Sequence, residues 1–401
     1  MDLLAVLRRT EGRSDARSLV QRGVALAALD EWEDALALLE RAQALFTSAG
    51  DRRAAARARL AALEVSVFRR DVAGAEEALA ASARELAALG DHANAAWARV
   101  VAARLGILLG RGSEALRALE AIGANEDAPR TVRAIALLAA GEAALRFRRA
   151  SLAADLFAAA RSLADANRGA LRSEIERALA ALKEPIAIAI ERGEETTIDV
   201  RALEALVTPA PMGGDRRVVV DALAGEVIGP GGERRSLRGR PALLALVVAF
   251  AQAHPRAVDW RTLGTSAMGA PRPNESHRAR LKVELGRLRR VLPPGVALRS
   301  LGAGSWILDV PARVVTLVPL LPRGADERVL ALLADGRAWR VIDLAEALGA
   351  GARATQRDLA ALAARGLVRK TGRGPATRWH APGRAESIAS QMLLLGVDGA
   401  P

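Results

Sequence analysis

The N-terminal half of the chain repeats one pattern of small and large apolar residues about every 40 positions. Small residues allow the two helices of a hairpin to approach closely, and the large residue that follows fills the groove between neighbouring hairpins. The pattern therefore predicts an array of helical hairpins over about residues 15–180. Its members are Gly23, Ala35, Leu39 and Ala42; then Ala75, Leu79 and Ser82; then Ala103, Ala115, Leu119 and Ile122; and finally Gly141, Ala153, Phe157 and Ala160.

This spacing resembles that of tetratricopeptide repeats, in the lengthened form of about 40 residues. The chain departs from that family where its aromatic positions are Leu or Ala, and no copy ends in the expected proline. The resemblance implies a superhelix whose concave face binds a protein or peptide partner. An inert spacer or a dimerisation platform is the alternative, so a homodimer stays open.

Positive charge is concentrated in the C-terminal half. Residues 215–310 carry a net charge of +8 and residues 311–401 of +5, whereas residues 1–185 carry +2 and residues 186–214 carry −3. A GC-rich genome would explain the preference for Arg over Lys, but not this uneven distribution. A basic region of this kind raises the local concentration of polyanions, which is typical of nucleic-acid binding.

The segment after residue 215 predicts strands, then three helices, then a hairpin. Pro241 begins the first helix, and Asn274 is a suitable N-cap for the third. On a helical wheel Leu281, Leu285, Leu288 and Leu292 share the inward face of that third helix. The outward face and its flanks supply the predicted DNA contacts, which are Ser276, Arg278, Arg280, Lys282, Val283, Arg287, Arg289 and Arg290, with Arg299 in the hairpin.

The runs RPALLALVVAFAQ, LKVELGRLRRVL and LGAGSWIL in this order resemble the OmpR/PhoB-type winged-helix effector domain of bacterial response regulators. That resemblance implies that the third helix enters the major groove and that the hairpin, or wing, contacts the neighbouring minor groove or backbone. Ala279 stands where the family often has an arginine, and the wing reads Gly304-Ser305-Trp306 instead of glycine-tyrosine. Base preference therefore does not transfer from the family.

A second series of three helices and a basic hairpin begins at Ala325. The runs ADERVLALLADG, VIDLAEALGA and ARATQRDLAALAARG, followed by LVRK and ATRWH, resemble the generic winged helix of bacterial repressors. Some winged helices bind only protein, and that alternative applies to both copies. The DNA contacts predicted here are Arg353, Gln356, Arg357, Arg369, Lys370, Arg373 and Arg378.

These patterns predict a mostly α-helical protein, with two small α+β modules after the superhelical array. We expect the array over 1–185, a linker over 186–214 whose alternating run IAIAI could be a short strand, the OmpR/PhoB-type module over 215–310, a second linker over 311–324, the second winged helix over 325–384, and a tail over 385–401.

The residues for common enzyme chemistry are missing. The chain has no Cys, which excludes thiolate zinc sites, iron–sulfur clusters and Cys nucleophiles. Its three lysines lie outside any Gly-Lys-Ser/Thr sequence, and its four histidines lack the spacing of a zinc site. We therefore expect no enzymatic activity, no catalytic residues, no cofactor and no metal. Asp2 precedes the first apolar run and Arg8 and Arg9 end it, which reverses the charge order of a signal peptide. No apolar run is long enough to span a bilayer, so we expect a cytoplasmic protein without a membrane partner.

The leading hypothesis is a DNA-binding transcriptional regulator that binds double-stranded DNA through both modules and a partner or signal through the array. A non-enzymatic adaptor, in which repeats and winged helices all bind proteins, is the alternative. A nucleoid protein that binds DNA without sequence preference is the third interpretation.

Overall fold

The computed structural model describes residues 3–29, 31–69, 73–109, 111–164, 169–209, 216–268, 270, 272–320, 329–330, 332–333, 339–364, 367–371, 374 and 377–380. Sixteen helices make this described part mostly helical, with a small sheet region in the C-terminal part, which confirms the mostly α-helical class. The chain divides into two compact units. One contains residues 1–181 and 321–401, and the other contains residues 182–320 and is called the central unit below.

Ten helices form the helical array of the first unit. They are α1 (Leu3–Thr10), α2 (Ala16–Ala28), α3 (Trp32–Ser48), α4 (Arg52–Phe68), α5 (Ala75–Ala88), α6 (His92–Leu108), α7 (Gly112–Ala124), α8 (Arg130–Arg146), α9 (Ala150–Leu163) and α10 (Gly169–Ala181). Consecutive helices pack against one another along the array. These ten helices occupy the interval for which the repeat predicts helical hairpins.

The starts of α4 and α6 show the repeat at the level of single residues. Gly50 and Gly90 adopt left-handed backbone conformations, with φ of 76° and 74°, immediately before the aspartates that cap these helices. The Asp51 side chain accepts a hydrogen bond from Ala54 N, and the Asp91 side chain accepts one from Asn94 N. Glycine tolerates the left-handed turn and aspartate satisfies a free amide of the first helical turn, so α4 and α6 begin in the same way.

Close approach between paired helices depends on the small residues of the repeat. A Cβ at Gly141 would lie 2.3 Å from Cε1 of Phe157, and one at Gly23 would lie 3.0 Å from Cγ of Leu39. Both large side chains are fully buried. The alternation of small and large residues therefore sets how closely the helices of a hairpin pack.

A six-stranded sheet organises the central unit, in the order β2-β1-β9-β3-β4-β5. β9 runs parallel to β3, and the other neighbours are antiparallel. The strands are β1 (Ala187–Glu191), β2 (Glu194–Ile198), β3 (Arg217–Asp221), β4 (Glu226–Ile228), β5 (Arg234–Ser236) and β9 (Arg313–Pro319).

The sheet includes parts of the chain that the sequence pattern assigned to linkers. Residues 186–214 contain β1, β2 and helix α11 (Val200–Val207), and residues 311–324 contain β9. The structure differs from the prediction because β1 pairs with β9, with Ala187 opposite Pro319. A short strand gives no sign of so distant a partner in the local sequence.

The two faces of β3 contribute to separate cores, which explains its continuous apolar run. Val218 and Val220 pack into a core with the helices described next, whereas Val219 packs on the other side with Leu203 and Val207 of α11. Successive side chains of a strand point to opposite faces, so a strand covered on both sides is apolar at every position.

Three helices and a second, three-stranded sheet complete the central unit. The helices are α12 (Pro241–Ala253), α13 (Trp260–Met268) and α14 (Glu275–Val291). The strands β6 (Val258–Asp259), β7 (Ala297–Gly302) and β8 (Ser305–Asp309) form an antiparallel sheet in the order β6-β8-β7. Their shared core contains Trp260 and Trp306, which are 8% and 7% exposed.

The C-terminal module belongs to the same compact unit as the helical array. Its elements are α15 (Val341–Leu348), α16 (Ala352–Ala364) and the antiparallel strands β10 (Arg369–Thr371) and β11 (Arg378–His380). Leu344, Leu359 and Trp379 share a buried core with Val329 and Leu333, which precede α15. Residues 325–328, the start of the helix predicted there, lie outside the described residues, as does the tail over 385–401.

Candidate nucleic-acid interface

The orientation of α14 is fixed at its start and along its inward face. Asn274 is its N-cap, as predicted, and the Asn274 side chain accepts a hydrogen bond from His277 N at 3.2 Å. The His277 Nδ1 atom lies 3.3 Å from Asn274 N and accepts in return, which completes a capping box. Leu281 and Leu288 are fully buried and Leu285 is 2% exposed, so the helix cannot rotate without exposing its apolar side chains.

The opposite side of α14 presents a continuous exposed surface, which we call the α14 face. Val283 at its centre is 54% exposed, although it is apolar. A Cβ at Gly286 would have no atom within 4 Å, so the backbone is accessible at that position. Exposed side chains surround these two residues, namely Ser276, Ala279, Arg280, Lys282, Arg287, Arg289 and Arg290. An approaching surface could therefore contact the helix along its length.

The cations of the α14 face differ in their local partners. Arg287 pairs with Glu284 at 2.8 Å, and Arg290 Nε donates to the carbonyl oxygen of Gly286 at 3.3 Å. Among the residues that the structure describes, neither Arg280 nor Lys282 has an acidic partner within ion-pair distance. Positive charge on this face is therefore only partly compensated within the chain.

Two of the predicted DNA contacts lie at the side of the helix and support it. The Arg278 guanidinium lies 5.7 Å from the ring centre of Trp260 and pairs with Glu275 at 3.4 Å. Arg289 Nε donates to the carbonyl oxygen of Leu298 on β7 at 3.3 Å, although the side chain remains exposed. Arg278 is half-buried, so it positions α14 against α13 in this conformation.

The β7–β8 hairpin contributes Arg299, which is exposed and pairs with Asp309 across the strands at 3.2 Å. Its turn requires glycine: Gly304 has φ of 78°, and a Cβ there would lie 2.9 Å from Cδ1 of Trp260. Leu301 near the tip is 50% exposed. The hairpin thus presents an arginine and an apolar side chain beyond the core.

Sequence reasoning missed a basic side chain on α13. Arg261 is exposed, and its guanidinium lies 4.9 Å from the ring centre of Trp260. The preceding Asp259 accepts hydrogen bonds from the hydroxyl and amide of Thr262 and from Arg261 N, which lower the pKa of its carboxyl group. Only the fold places Arg261 and Arg278 on the same indole ring.

The C-terminal module presents a second basic surface on α16. Arg353, Gln356 and Arg357 are exposed there, and Lys370 is exposed on β10. Arg378 is half-buried, and its Nη1 donates to the carbonyl oxygen of Thr377 at 3.0 Å. The predicted contact Arg373 lies outside the described residues.

Arg369 does not extend into solvent as a free wing side chain would. Its guanidinium carbon lies 5.9 Å from the ring centre of Trp32, at the start of α3 in the helical array. No role was predicted for Trp32 or for the acidic residues beside it. The sequence did offer a signal, because Trp32 is an aromatic residue among acidic ones in a chain with only 3% aromatic residues.

The helical array carries an apolar groove of about 570 Å³ between α5, α6 and α7. Alanines such as Ala83, Ala102 and Ala118 form much of its lining, and Arg84, Arg99 and Arg111 contribute the basic side chains. Arg111 is paired with Glu76 at 2.7 Å. The groove has the size of a site that could accept part of a peptide or a small ligand.

No set of three His, Asp or Glu side chains within the described ranges comes close enough to hold a metal ion. Within the same ranges, no helix has both the length and the apolar character needed to cross a bilayer. Comparison of the chain with protein-family models, curated proteins and solved structures found no match.

Proposed function

We propose that this protein is a cytoplasmic, non-enzymatic transcriptional regulator that binds duplex DNA through two winged-helix modules. Its tetratricopeptide-like array would bind a protein or peptide partner. The observation that carries the proposal is the α14 face, where exposed cations surround an accessible backbone and Val283.

The topology of the central unit supports the winged-helix interpretation. α12, α13 and α14 are followed by the β7–β8 hairpin, and β6 between α12 and α13 pairs with β8. In winged helices of the OmpR/PhoB type the third helix enters the major groove. The corresponding helix here is α14, whose apolar residues face the core and whose arginines face outward.

The chemistry of the α14 face suits a DNA duplex better than bulk water. An exposed helix face that only needs to be solvated usually mixes charge signs, because pairs of opposite charge stabilise it. Residues 272–290 instead contain seven basic and two acidic side chains. Arginines can reach guanine edges or phosphates, and an apolar side chain such as that of Val283 can contact a thymine methyl group.

The central test is a binding titration with the full-length protein and a pool of duplex oligonucleotides with a randomised centre, followed over a range of salt concentrations. The affected variant carries Arg280→Ala and Arg290→Ala. Neither arginine has an acidic partner among the described residues, so their removal leaves no carboxylate unpaired. The matched control carries Arg201→Ala and Arg235→Ala, two exposed arginines on α11 and β5 of the same unit.

We expect the wild-type association constant to fall with salt by about 0.9 log units per phosphate contact for each tenfold increase. If both arginines contact phosphates, the affected variant should have a slope shallower by about 2. An arginine that reads a base should instead cost about 1 to 3 kcal/mol and relax the selected sequence. The control should retain the wild-type slope and affinity.

The adaptor interpretation makes the opposite prediction. Full-length protein that binds no duplex at low salt would overturn the regulator proposal. Equal salt slopes and affinities for the affected variant and the control would remove the α14 face from the DNA interface. Binding with no sequence enrichment after selection would favour the nucleoid interpretation.

A further inference from the structure

The β10–β11 hairpin is covered on the face that points away from its own core. Arg369 lies opposite His380 in the register, and Lys370 lies opposite Trp379. Trp379 belongs to the core of the C-terminal module, so Arg369 and His380 occupy the outer face. On the outside of a small wing both would normally be solvated. His380 is nevertheless 1% exposed and Arg369 is half-buried.

The Arg369 guanidinium contacts an aromatic pair of the helical array. It lies 5.9 Å from the ring centre of Trp32, and the Trp32 ring lies 6.2 Å from that of Phe68 on α4. Arg104 of α6 lies 5.6 Å from the other partner, Phe68. Each aromatic ring thus has one guanidinium group over it, from Arg104 of the array at Phe68 and from Arg369 of the C-terminal module at Trp32.

Charge near the aromatic pair favours a cation from outside the array. Glu31, Glu33 and Asp34 belong to the turn that holds Trp32, and Glu31 and Glu33 are exposed. Glu33 lies 3.6 Å from Arg69, whose side chain remains 35% exposed. An indole face beside carboxylates attracts a guanidinium both through the ring and through charge. Arg369 provides that cation from within the chain.

We propose that the β10–β11 hairpin docks on the Trp32–Phe68 pair as an autoinhibitory contact that keeps Arg369 from DNA. The contact itself follows from the structure, whereas its competition with DNA rests on the proposed function. The Arg369 Nη1 atom is buried in this position, so a phosphate cannot reach it unless the hairpin moves away from Trp32. DNA binding through this wing and docking on the array should therefore exclude one another, and each should weaken the other by the same factor.

The docking contact is tested by hydrogen–deuterium exchange of full-length protein without DNA. Trp32→Leu removes the aromatic face but keeps an apolar side chain on the core of α2, α3 and α4, and Arg369→Ala removes the cation. Each should raise exchange of the β10–β11 amides about 3- to 30-fold, the range of a single cation–π contact. Lys370→Ala is the matched control, since Lys370 is exposed and lies on the other face of the same strand. It should leave this exchange unchanged.

Exchange of α3 serves as the check on folding. If Trp32→Leu raises exchange throughout α3, the result from Arg369→Ala decides, because that change lies outside the array. Wild-type exchange of the β10–β11 amides in Arg369→Ala would overturn the docking contact.

The second arm measures DNA affinity with the same duplex pool. Trp32→Leu should bind DNA more tightly by the factor by which it raises exchange, and Lys370→Ala should bind more weakly. Raised exchange with unchanged affinity would overturn the autoinhibition. If the wild-type protein and Trp32→Leu both fail to bind DNA, the proposed function fails and the autoinhibition fails with it, although raised exchange would still establish the contact.

Discussion

The carboxyl group of Glu64 on α4 is buried away from solvent. Replacement of Glu64 by glutamine should change how the stability of the array depends on pH. The side chain is 1% exposed, and its Oε2 accepts a hydrogen bond from Trp97 Nε1 at 3.0 Å. Oε1 is buried and has no hydrogen-bond partner among the described residues. Burial raises the pKa of Glu64 to about 8, although Trp97 and the nearby charge of Arg104 both act to lower it.

The sign and size of the effect follow from linkage between protonation and folding. The folded-state pKa of about 8 lies above the ordinary value of 4.5, so the unfolded chain releases this proton first as pH rises. The stability associated with the protonated group is fully present below pH 4.5 and is lost as pH rises through about 8. The loss amounts to about 1.4 kcal/mol per pH unit. Between pH 5 and pH 7.5 it reaches about 3 kcal/mol.

The assay is hydrogen–deuterium exchange of α4 and α6 peptides in the full-length protein, at several pH values between 5 and 7.5. Comparison at equal pH cancels the intrinsic pH dependence of exchange. The glutamine in Glu64→Gln is neutral at every pH in this range. The protection of the α4 and α6 amides from exchange, relative to wild type, should therefore rise about 100-fold from pH 5 to pH 7.5. Glu77→Gln, at an exposed position on α5, is the control and should follow wild type. Parallel pH profiles for wild type and Glu64→Gln would refute the assignment of a buried neutral carboxyl group.

Two further predictions concern the array and α14. Gly141→Ala should destabilise the α8–α9 hairpin by about 1 to 3 kcal/mol, because the new methyl group would overlap the Phe157 ring. Urea titration measures the loss, and adding Phe157→Leu should restore part of it; full stability of Gly141→Ala alone would contradict this packing. Asn274→Ala should cost about 0.5 to 2 kcal/mol by removing the N-cap of α14. Faster amide exchange confined to the first turn of α14 is the expected result, and unchanged exchange would argue against the capping box.

Much of the array could be predicted because its pattern is local and repeated. Leu39, Leu79, Leu119 and Phe157 were expected in the grooves between neighbouring hairpins. All four are fully buried, and Leu39 and Phe157 pack on Gly23 and Gly141 of their own hairpins. The two faces of α14 were predictable for a similar reason. An apolar stripe at helical spacing determines which side chains face the core, and the remaining ones must face outward. Leu281 and Val283 accordingly lie on opposite sides of the helix.

Interactions between distant parts of the chain were not predictable in the same way. Residues 186–214 were predicted as a linker. Their place in a sheet was missed because β1 pairs with β9, which lies more than a hundred residues later in the chain. Arg278 was predicted as a DNA contact, and the position of its guanidinium over Trp260 of another helix was not predicted. Nothing in the neighbouring residues of either position identifies such a partner.

The sequence by itself determined the helical hairpins, the inward face of α14 and the basic character of the C-terminal half. These properties depend on residue periodicity and net charge, and both can be determined from short segments of the sequence. Only the tertiary structure decided which cations keep their charge available. Arg280 lacks an acidic partner in the described chain, Arg287 pairs with Glu284, and Arg369 lies over Trp32. The physical reason is that a side chain's electrostatic partner is set by distance in space, and folding brings residues such as Arg369 and Trp32 together from opposite ends of the chain.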